Sequence, residues 1–340
     1  MFQIYFKRIS LLLLVSFSIG ACRSYQTTPG VSFSKIQTGQ GTEDLDLFSE
    51  NGKSYLVVSC AERREVKKES TFYLIDTETD QSRKMEIRGL PDTIHLDLHG
   101  ISVEKINGQN YLYAIDHKEG SDWHQILQFS IKDLQLNFEH CYTSPDFLIN
   151  PNDLDIDGNG NMYVSNYLGR GKVIWQYLFN TKRSTVVKYS VNTQKWEFVL
   201  DHMAYANGVF VDDSVLYIAT TRMHGLYAYP LSILGKGRIL KGKEGKRVCD
   251  IKGLDNLIFH GGYLYTTAHP SNMKFLGHVK TTEKKSPSQI WKVELKTGQK
   301  ILVFQDDGYQ ISAASTALPY KNKVYIGQIF DPFVGVITVK

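Results

Sequence analysis

A pair of adjacent residues, mostly polar, returns six times along this chain. The pairs are Glu43-Asp44, His99-Gly100, Asn152-Asp153, Asn207-Gly208, Asp255-Asn256 and Ser315-Thr316, at steps of 56, 53, 55, 48 and 60 residues. A repeat of this length accommodates one four-stranded propeller blade. After each pair comes a turn signal, then a short aromatic and β-branched run. The turns are Asn51-Gly52, Asn107-Gly108, 158–160, Asp212-Asp213, Gly261-Gly262 and Lys321-Asn322; the runs are 55–59, 111–115, 162–166, 216–220, 263–267 and 324–328. Such runs, bounded by such turns, read as hairpins. Third strands are expected near 71–76, 125–130, 185–190 and 289–294, and fourth strands near 85–88, 196–200 and 300–304. No long amphipathic helix is expected outside the N-terminal leader.

Six units imply an all-β fold, a six-bladed β-propeller with one continuous core. The last unit has only three strands of its own. The missing outer strand is expected at 31–36, so an N-terminal strand closes the last blade and removes an open edge. With 340 residues and 42% hydrophobic side chains, the chain can bury a core of that size. Its net charge of +4 is scattered. The basic run 235–247 reads as a solvated Gly- and Lys-rich loop, so nothing points to nucleic acid.

The first residues read as a targeting segment. Lys7 and Arg8 precede an apolar run at 9–19, and Gly20-Ala21-Cys22 follows, the plan of a signal peptide. The run is too short for a stable membrane span. Ile19-Gly20-Ala21-Cys22 is similar to a bacterial lipobox. The expected organisation is a signal peptide at 1–21, a lipidated linker at 22–30 with Cys22 modified, and the propeller at 31–340. This places the mature protein in a bacterial cell envelope, anchored to a membrane through Cys22; an ordinary secreted protein is the alternative. Cys60, Cys141 and Cys249 have no metal-ligand spacing and read as small buried hydrophobes.

Equivalent positions on the inner strands of a propeller converge on its axis. Glu43, Asn152, Asn207, Asp255 and Asn256 would meet there, giving five oxygen donors with a formal charge of −2. Calcium takes about six to eight oxygens, so water or substrate would complete the shell, and the three amide carbonyls favour calcium over magnesium. Asp44 and Asp153 each follow a proposed ligand, and strand alternation sends them the other way. They could serve a second, deeper cation with a backbone carbonyl near Ile101, or simply accept hydrogen bonds from turn amides. The run from Asp153 to Gly158 matches the start of an EF-hand loop. Val164 stands where the closing Glu belongs, so 157–160 reads as a hairpin. His99 stands at a repeat position, His117 follows the paired strand of the same blade, and His269 ends the matching strand later on. A His beside a cation can act as general base. No Gly-x-Ser-x-Gly elbow is present.

Together these segments resemble the paraoxonase/arylesterase family of calcium-dependent lactonases, within the gluconolactonase-like propellers. The match includes Gly41-Thr-Glu-Asp-Leu, His99-Gly-Ile-Ser, Asp116-His117, Asn152-Asp153, Ala206-Asn207-Gly208, Asp255-Asn256, His269-Pro-Ser-Asn-Met-Lys and Ser315-Thr316. The resemblance implies two calcium ions. The catalytic one would be held by Glu43, Asn152, Asn207, Asp255 and Asn256, and the structural one by Asp44, Asp153 and the Ile101 carbonyl. It implies a His99–His117 dyad activating water, and a pocket lined by His269, Asn152 and Asn207. The implied substrate is a small hydrophobic ester or lactone. Two departures stand out. The family's disulfide between the terminal strands has no counterpart, and its Asn-Asp-His-Tyr-Phe segment reads Asn166-Tyr-Leu-Gly-Arg170 here. The apolar stretch 174–179 would suit a greasy acyl chain or leaving group. The competing readings are a sugar-lactonase-like propeller and a non-catalytic calcium-binding surface lipoprotein. The retained His99 and His117 argue for an enzyme.

Overall fold

The computed structural model describes residues 25–64, 69–118, 121, 123–171, 175–176 and 179–339. The leader and Cys22 lie outside the described residues. Six antiparallel sheets form six blades around an axis. Blade 1 contains β2 (Thr42–Glu50), β3 (Lys53–Ala61), β4 (Ser70–Asp76) and β5 (Ser82–Lys84). Blade 2 contains β7 (Leu98–Ile106), β8 (Gln109–Asp116), β9 (Gln125–Lys132) and β10 (Gln135–Thr143), with the short β6 (Ile87–Arg88) running parallel on its outer edge. Blade 3 contains β11 (Pro151–Ile156), β12 (Met162–Asn166), β13 (Ser184–Ser190) and β14 (Lys195–Met203), with β18 (Leu240–Lys241) parallel to β14. Blade 4 contains β15 (Ala206–Val211), β16 (Val215–Thr220), β17 (Gly225–Pro230) and β19 (Lys246–Cys249). Blade 5 contains β20 (Leu254–His260), β21 (Tyr263–Ala268), β22 (Ser288–Glu294) and β23 (Lys300–Asp306).

Blade 6 joins the two ends of the chain. Its inner strands are β24 (Ala314–Tyr320), β25 (Lys323–Gln328) and β26 (Phe333–Thr338), and β1 (Phe33–Gln37) pairs antiparallel with β26 from Phe33↔Ile337 to Gln37↔Phe333. The closing strand is thus the N-terminal one, shifted by one or two residues from 31–36. Backbone pairing does the work of a terminal disulfide, and Cys60, Cys141 and Cys249 are all unpaired. Cys60 and Cys249 are buried, whereas Cys141 is half-buried on an outer strand, Sγ 3.4 Å from Gln125 Oε1.

Three expectations change. The segment 85–88 does not close blade 1: Ser82–Lys84 does, Met85 packs into the core, and Ile87–Arg88 crosses to the next blade. The basic run 235–247 contributes β18 and the start of β19, so its outer strands alternate with exposed basic side chains. The core is six apolar layers rather than one continuous mass. Each layer draws from two neighbouring blades, as where Phe72 and Leu74 of blade 1 meet Leu112 and Phe129 of blade 2. The same holds at the other five joints.

Each innermost strand carries a register shift at its recurring residue pair, or blade dyad: between Thr42 and Asp44, Leu98 and Ile101, Pro151 and Leu154, Ala206 and Val209, Leu254 and Leu257, and Ala314 and Ala317. A bulge adds one residue to the strand and re-aims its side chains. Members of a dyad therefore diverge along the axis instead of pointing to opposite faces of the sheet. Glu43 lines a cavity at the start of the inner strands, and Asp44 lines a second cavity further along them.

The inner edge of each blade has no further strand to pair with, so its N–H groups need other acceptors. Four aspartates supply them. Asp44 accepts from its own strand at Leu45 N (2.9 Å) and from the next blade at Ile101 N (2.8 Å). Asp46 does the same with Leu47 N (2.7 Å) and Val103 N (2.7 Å). Asp153 and Asp155 repeat the arrangement two blades on, with Leu154 and Val209, and with Ile156 and Val211. Replacing Asp46 with Ala leaves two inner-edge N–H groups without an acceptor. Asp46→Ala should lower unfolding stability by about 2 kcal/mol, read from the urea midpoint at unchanged m-value.

Candidate active site at the mouth of the axial tunnel

The first member of five dyads converges as the repeat implies. Glu43, His99, Asn152, Asn207 and Asp255 line one open cavity, together with His269, Arg63, Tyr167, Tyr205, Thr221, Asn272, Phe275 and Ile329. Asn256 is buried just below, and its Nδ2 donates to Glu43 Oε1 (3.2 Å) and Thr316 Oγ1 (2.9 Å).

Buried polar atoms without partners are rare. Here Glu43 Oε2, Asn152 Oδ1, Asn207 Oδ1 and Asn256 Oδ1 are all buried with no hydrogen-bond donor in reach. The amide nitrogens of the three asparagines are engaged: Asn152 Nδ2 with His99 Nε2 (3.1 Å), Asn207 Nδ2 with Thr221 Oγ1 (3.2 Å), and Asn256 as above. Each amide is thus oriented with its oxygen left over. Burial, and then the neighbouring Asp44 charge, push the Glu43 carboxyl well above its ordinary range. Four orphaned oxygens beside Asp255 form the kind of donor set a hard divalent cation takes. Among the described residues no group of three or more His, Cys, Asp or Glu side chains is placed to hold a metal, because amides supply most of this set.

The histidines form a row. His99 Nδ1 is 3.1 Å from His117 Nε2, and the His117 ring stands edge-on to His124 with centroids 4.5 Å apart. His99 Nε2 lies 3.7 Å from Glu43 Oε1, and 18% of its side chain stays exposed, enough to be reached from the cavity. Burial, then the His117 charge, lower the His99 pKa well below the ordinary value, which favours the neutral ring. His124 has no repeat position, and nothing in the sequence marks it. On the far wall, His269 Nε2 lies 2.8 Å from Asp255 Oδ2, and its ring packs 4.4 Å from Phe275. Phe275 belongs to α1 (Asn272–Lys280), a short helix capped by Ser271, whose side chain accepts from Lys274 N.

Asp44 and Asp153 sit in the second cavity with Ile101, and hydrogen bonds to inner-edge amides satisfy each of their carboxylate oxygens. Burial raises Asp44 to about 7, and burial followed by the Asp44 charge raises Asp153 well above its usual range. The hairpin reading of 157–160 holds: Asp157 Oδ1 accepts from Asn159 N and Asn161 N within the turn. Asn166 braces the site from behind, its Oδ1 accepting from Ile149 N and Asn150 N, while Tyr167 faces the cavity. Of the apolar stretch 174–179, residues 174, 177 and 178 lie outside the described residues; Trp175 and Phe179 are exposed and stacked on each other at 5.3 Å.

The sequence reading misses Arg63, Tyr205, Thr221, Asn272, Phe275 and Ile329. All come from connections at the site end of the blades, where loop lengths vary and no period marks a position.

Such an arrangement, a six-bladed propeller with an oxygen-lined site at the mouth of its tunnel, is that of the propeller lactonases and esterases. Residues 60–334 match the family described as Arylesterase, and the chain belongs to that family. It is 23% identical to serum paraoxonase/arylesterase 1 of Rattus norvegicus over 311 residues, covering 85% of this chain and 84% of the relative. With the Homo sapiens protein of the same name the identity is 24% over 250 residues, covering 70% and 68%. An X-ray structure named "putative gluconolactonase" superposes with a TM-score of 0.52 at 12% identity, covering 93% of this chain and 94% of the other; it speaks for the fold alone. At the family level the chain is an ester or lactone hydrolase.

The dyads also set how closely blades approach. A Cβ on Gly208 would lie 2.6 Å from Asp255 O, 2.8 Å from Leu257 N and 2.9 Å from Asn256 C, all backbone of the next blade. Gly208→Ala should therefore cost about 1–3 kcal/mol of stability in a denaturant titration.

Proposed function

We propose that this protein is a calcium-dependent hydrolase of small hydrophobic esters and lactones. The observation that carries the reading is the set of four buried oxygens without donors at Glu43, Asn152, Asn207 and Asn256, beside Asp255. Two carboxylates and three neutral amide oxygens fit calcium, with room for water and a substrate carbonyl in the shell. When bound there, the ion supplies a Lewis acid for an ester carbonyl and charge stabilisation for the oxyanion.

The residues around it divide the remaining work. Asn152 Nδ2 donates to His99 Nε2, which places the His99 proton on Nδ1, where it is given to His117 Nε2. In that tautomer Nε2 holds the lone pair on the cavity side, and a water that displaces the Asn152 contact can lose its proton to it. Passing the Nδ1 proton to His117 keeps His99 from holding a full buried charge. His269 fixes the Asp255 carboxylate through Nε2. Tyr167, Tyr205, Phe275 and Ile329 form an apolar wall that suits an acyl chain or aryl leaving group.

We also propose a second cation between Asp44 and Asp153, near the Ile101 carbonyl. Its support is electrostatic: two buried carboxylates repel one another there, and each keeps lone pairs beyond those its amide partners use.

The test is hydrolysis of phenyl acetate and of a medium-chain lactone, with calcium and with a chelator. Both activities should disappear on chelation and return with calcium; activity indifferent to the chelator sinks the metal reading. Asp255→Ala should abolish turnover together with calcium-induced thermal stabilisation. His99→Gln should lower kcat/KM by about 10²–10⁴ while the stabilisation stays. Calorimetry should count two ions, and one in Asp44→Asn; a single ion in the native protein removes the second site.

For location, we propose a lipid anchor at Cys22 on an envelope protein. Among the described residues no helix is long and apolar enough to cross a membrane. In a bacterial host, radiolabelled fatty acid should enter the full-length chain and not Cys22→Ala; equal labelling of both rules the anchor out.

A further inference from the structure

The cavity holds one cation of its own, and its placement bears on what the site selects. Arg63 follows β3 at the mouth. Its Nη1 donates to the carbonyls of Ala61 (2.9 Å) and Gly41 (3.4 Å), and its Nη2 donates to the carbonyl of Leu98 (3.0 Å). Those three contacts fix the fork in one orientation. They use three of the five guanidinium N–H groups. Among the described residues no carboxylate forms a close ion pair with Arg63, and the groups that orient it are carbonyl dipoles.

Charge counting at the site points the same way. Glu43 and Asp255 are the lining carboxylates. A divalent cation bound between them leaves no net charge, and Arg63 then makes the mouth positive. Its field reaches the site: it opposes part of the burial that raises Glu43 and Tyr167, and it adds to the burial and the His117 charge that lower His99. A rigid guanidinium with free donors at a positive, aromatic-walled mouth suits a carboxylate, which it can meet through two N–H groups.

We propose that Arg63 is a specificity-determining residue and that the favoured substrates are esters or lactones whose acyl portion carries a carboxylate beyond an apolar stretch. This rests on the hydrolase reading above and narrows it from hydrophobic to amphiphilic anionic substrates. The Tyr167, Tyr205 and Phe275 rings take the apolar stretch, and Arg63 takes its charged end.

The experiment uses two γ-lactones that differ only at the tip of the side chain, methyl in one and carboxylate in the other, on the calcium-loaded protein. The native enzyme should show at least about tenfold lower KM for the carboxylate. In Arg63→Met the ratio of kcat/KM, anionic over neutral, should fall about tenfold to a hundredfold through KM, and Arg63→Lys should restore part of it. A merely structural brace between the first two blades predicts equal losses on both lactones together with a lowered melting temperature. That result overturns the proposal, as does a native enzyme that prefers the neutral lactone. If the Met variant does not fold, Arg63→Lys decides by the same ratio, which must fall, because the lysine cannot reproduce a two-pronged contact. If neither lactone is hydrolysed the hydrolase reading fails separately. Calorimetric binding of phenylacetate and of 2-phenylethanol to the native protein and to Arg63→Lys then tests the inference. Phenylacetate must bind more tightly than the alcohol and lose at least about fivefold in the variant; unchanged affinity assigns the carboxylate to the metal and overturns it.

Discussion

The inner edge of each blade is the constraint on which the structure depends. A sheet edge exposes unpaired N–H and C=O groups, and at a protein surface water satisfies them. Around the axis the inner strands face one another, and no further strand pairs with them. The chain solves this with carboxylates. Asp44, Asp46, Asp153 and Asp155 each take one N–H from their own strand and one from the next blade, so every such aspartate satisfies two orphan donors and ties two blades together. Burial makes those charges costly, which is why Asp46 rises to about 6 and Asp155 to about 8. The amide dipoles aimed at them offset part of that cost.

The joints alternate in kind. Aspartates bridge blade 1 to 2 and blade 3 to 4. From blade 2 to 3 and from 4 to 5, the joint is a close approach at glycine instead: a Cβ on Gly100 would sit 2.4 Å from Asn152 O, and one on Gly208 2.6 Å from Asp255 O. Hydroxyls complete the ring. Ser59 donates to the His99 carbonyl, Ser165 to the Asn207 carbonyl, and Thr267 to the Ser315 carbonyl, at 2.6–2.7 Å. Each accepting carbonyl belongs to the first member of a dyad, so His99 and Asn207, which present side chains to the cavity, are each held from behind by the preceding blade.

This explains what could be read in the sequence and what could not. The period was legible because each blade must place one bulge at the same height. The convergence of Glu43, Asn152, Asn207, Asp255 and Asn256 was legible because the period fixed both height and direction. The bulge itself left no mark, so simple alternation misdescribed the split between Glu43 and Asp44: they part along the tunnel, not across the sheet. The six apolar layers were also hidden, since strand patterning shows which faces are buried without showing which blade covers them. Arg63, Tyr205, Asn272 and Phe275 come from loops with no common length, and His124 meets His117 only through the path of one such loop. The exchange of β6 and β18 onto neighbouring blades depends on edge pairing of two residues each, too short to carry a pattern.

The site's geometry therefore depends on the closure of the ring. The five candidate ligands come from blades 1, 3, 4 and 5, and only Asp255 and Asn256 share a strand. A site of this kind works only if its groups hold position to within about 0.5 Å. Blade 6, which contributes none of these ligands, sets the position of Glu43: Ser315 and Thr316 both donate to the Glu43 carbonyl, and Thr316 also holds Asp44. Blade 6 in turn is completed by β1, and Thr42, the residue before Glu43, donates to Phe333 O in the closing sheet (2.9 Å). The hydrogen bonds that close the ring and those that aim Glu43 are thus consecutive along one segment of chain. With no covalent bond between the ends, loosening of the β1–β26 pairing would reach Glu43 before any other ligand.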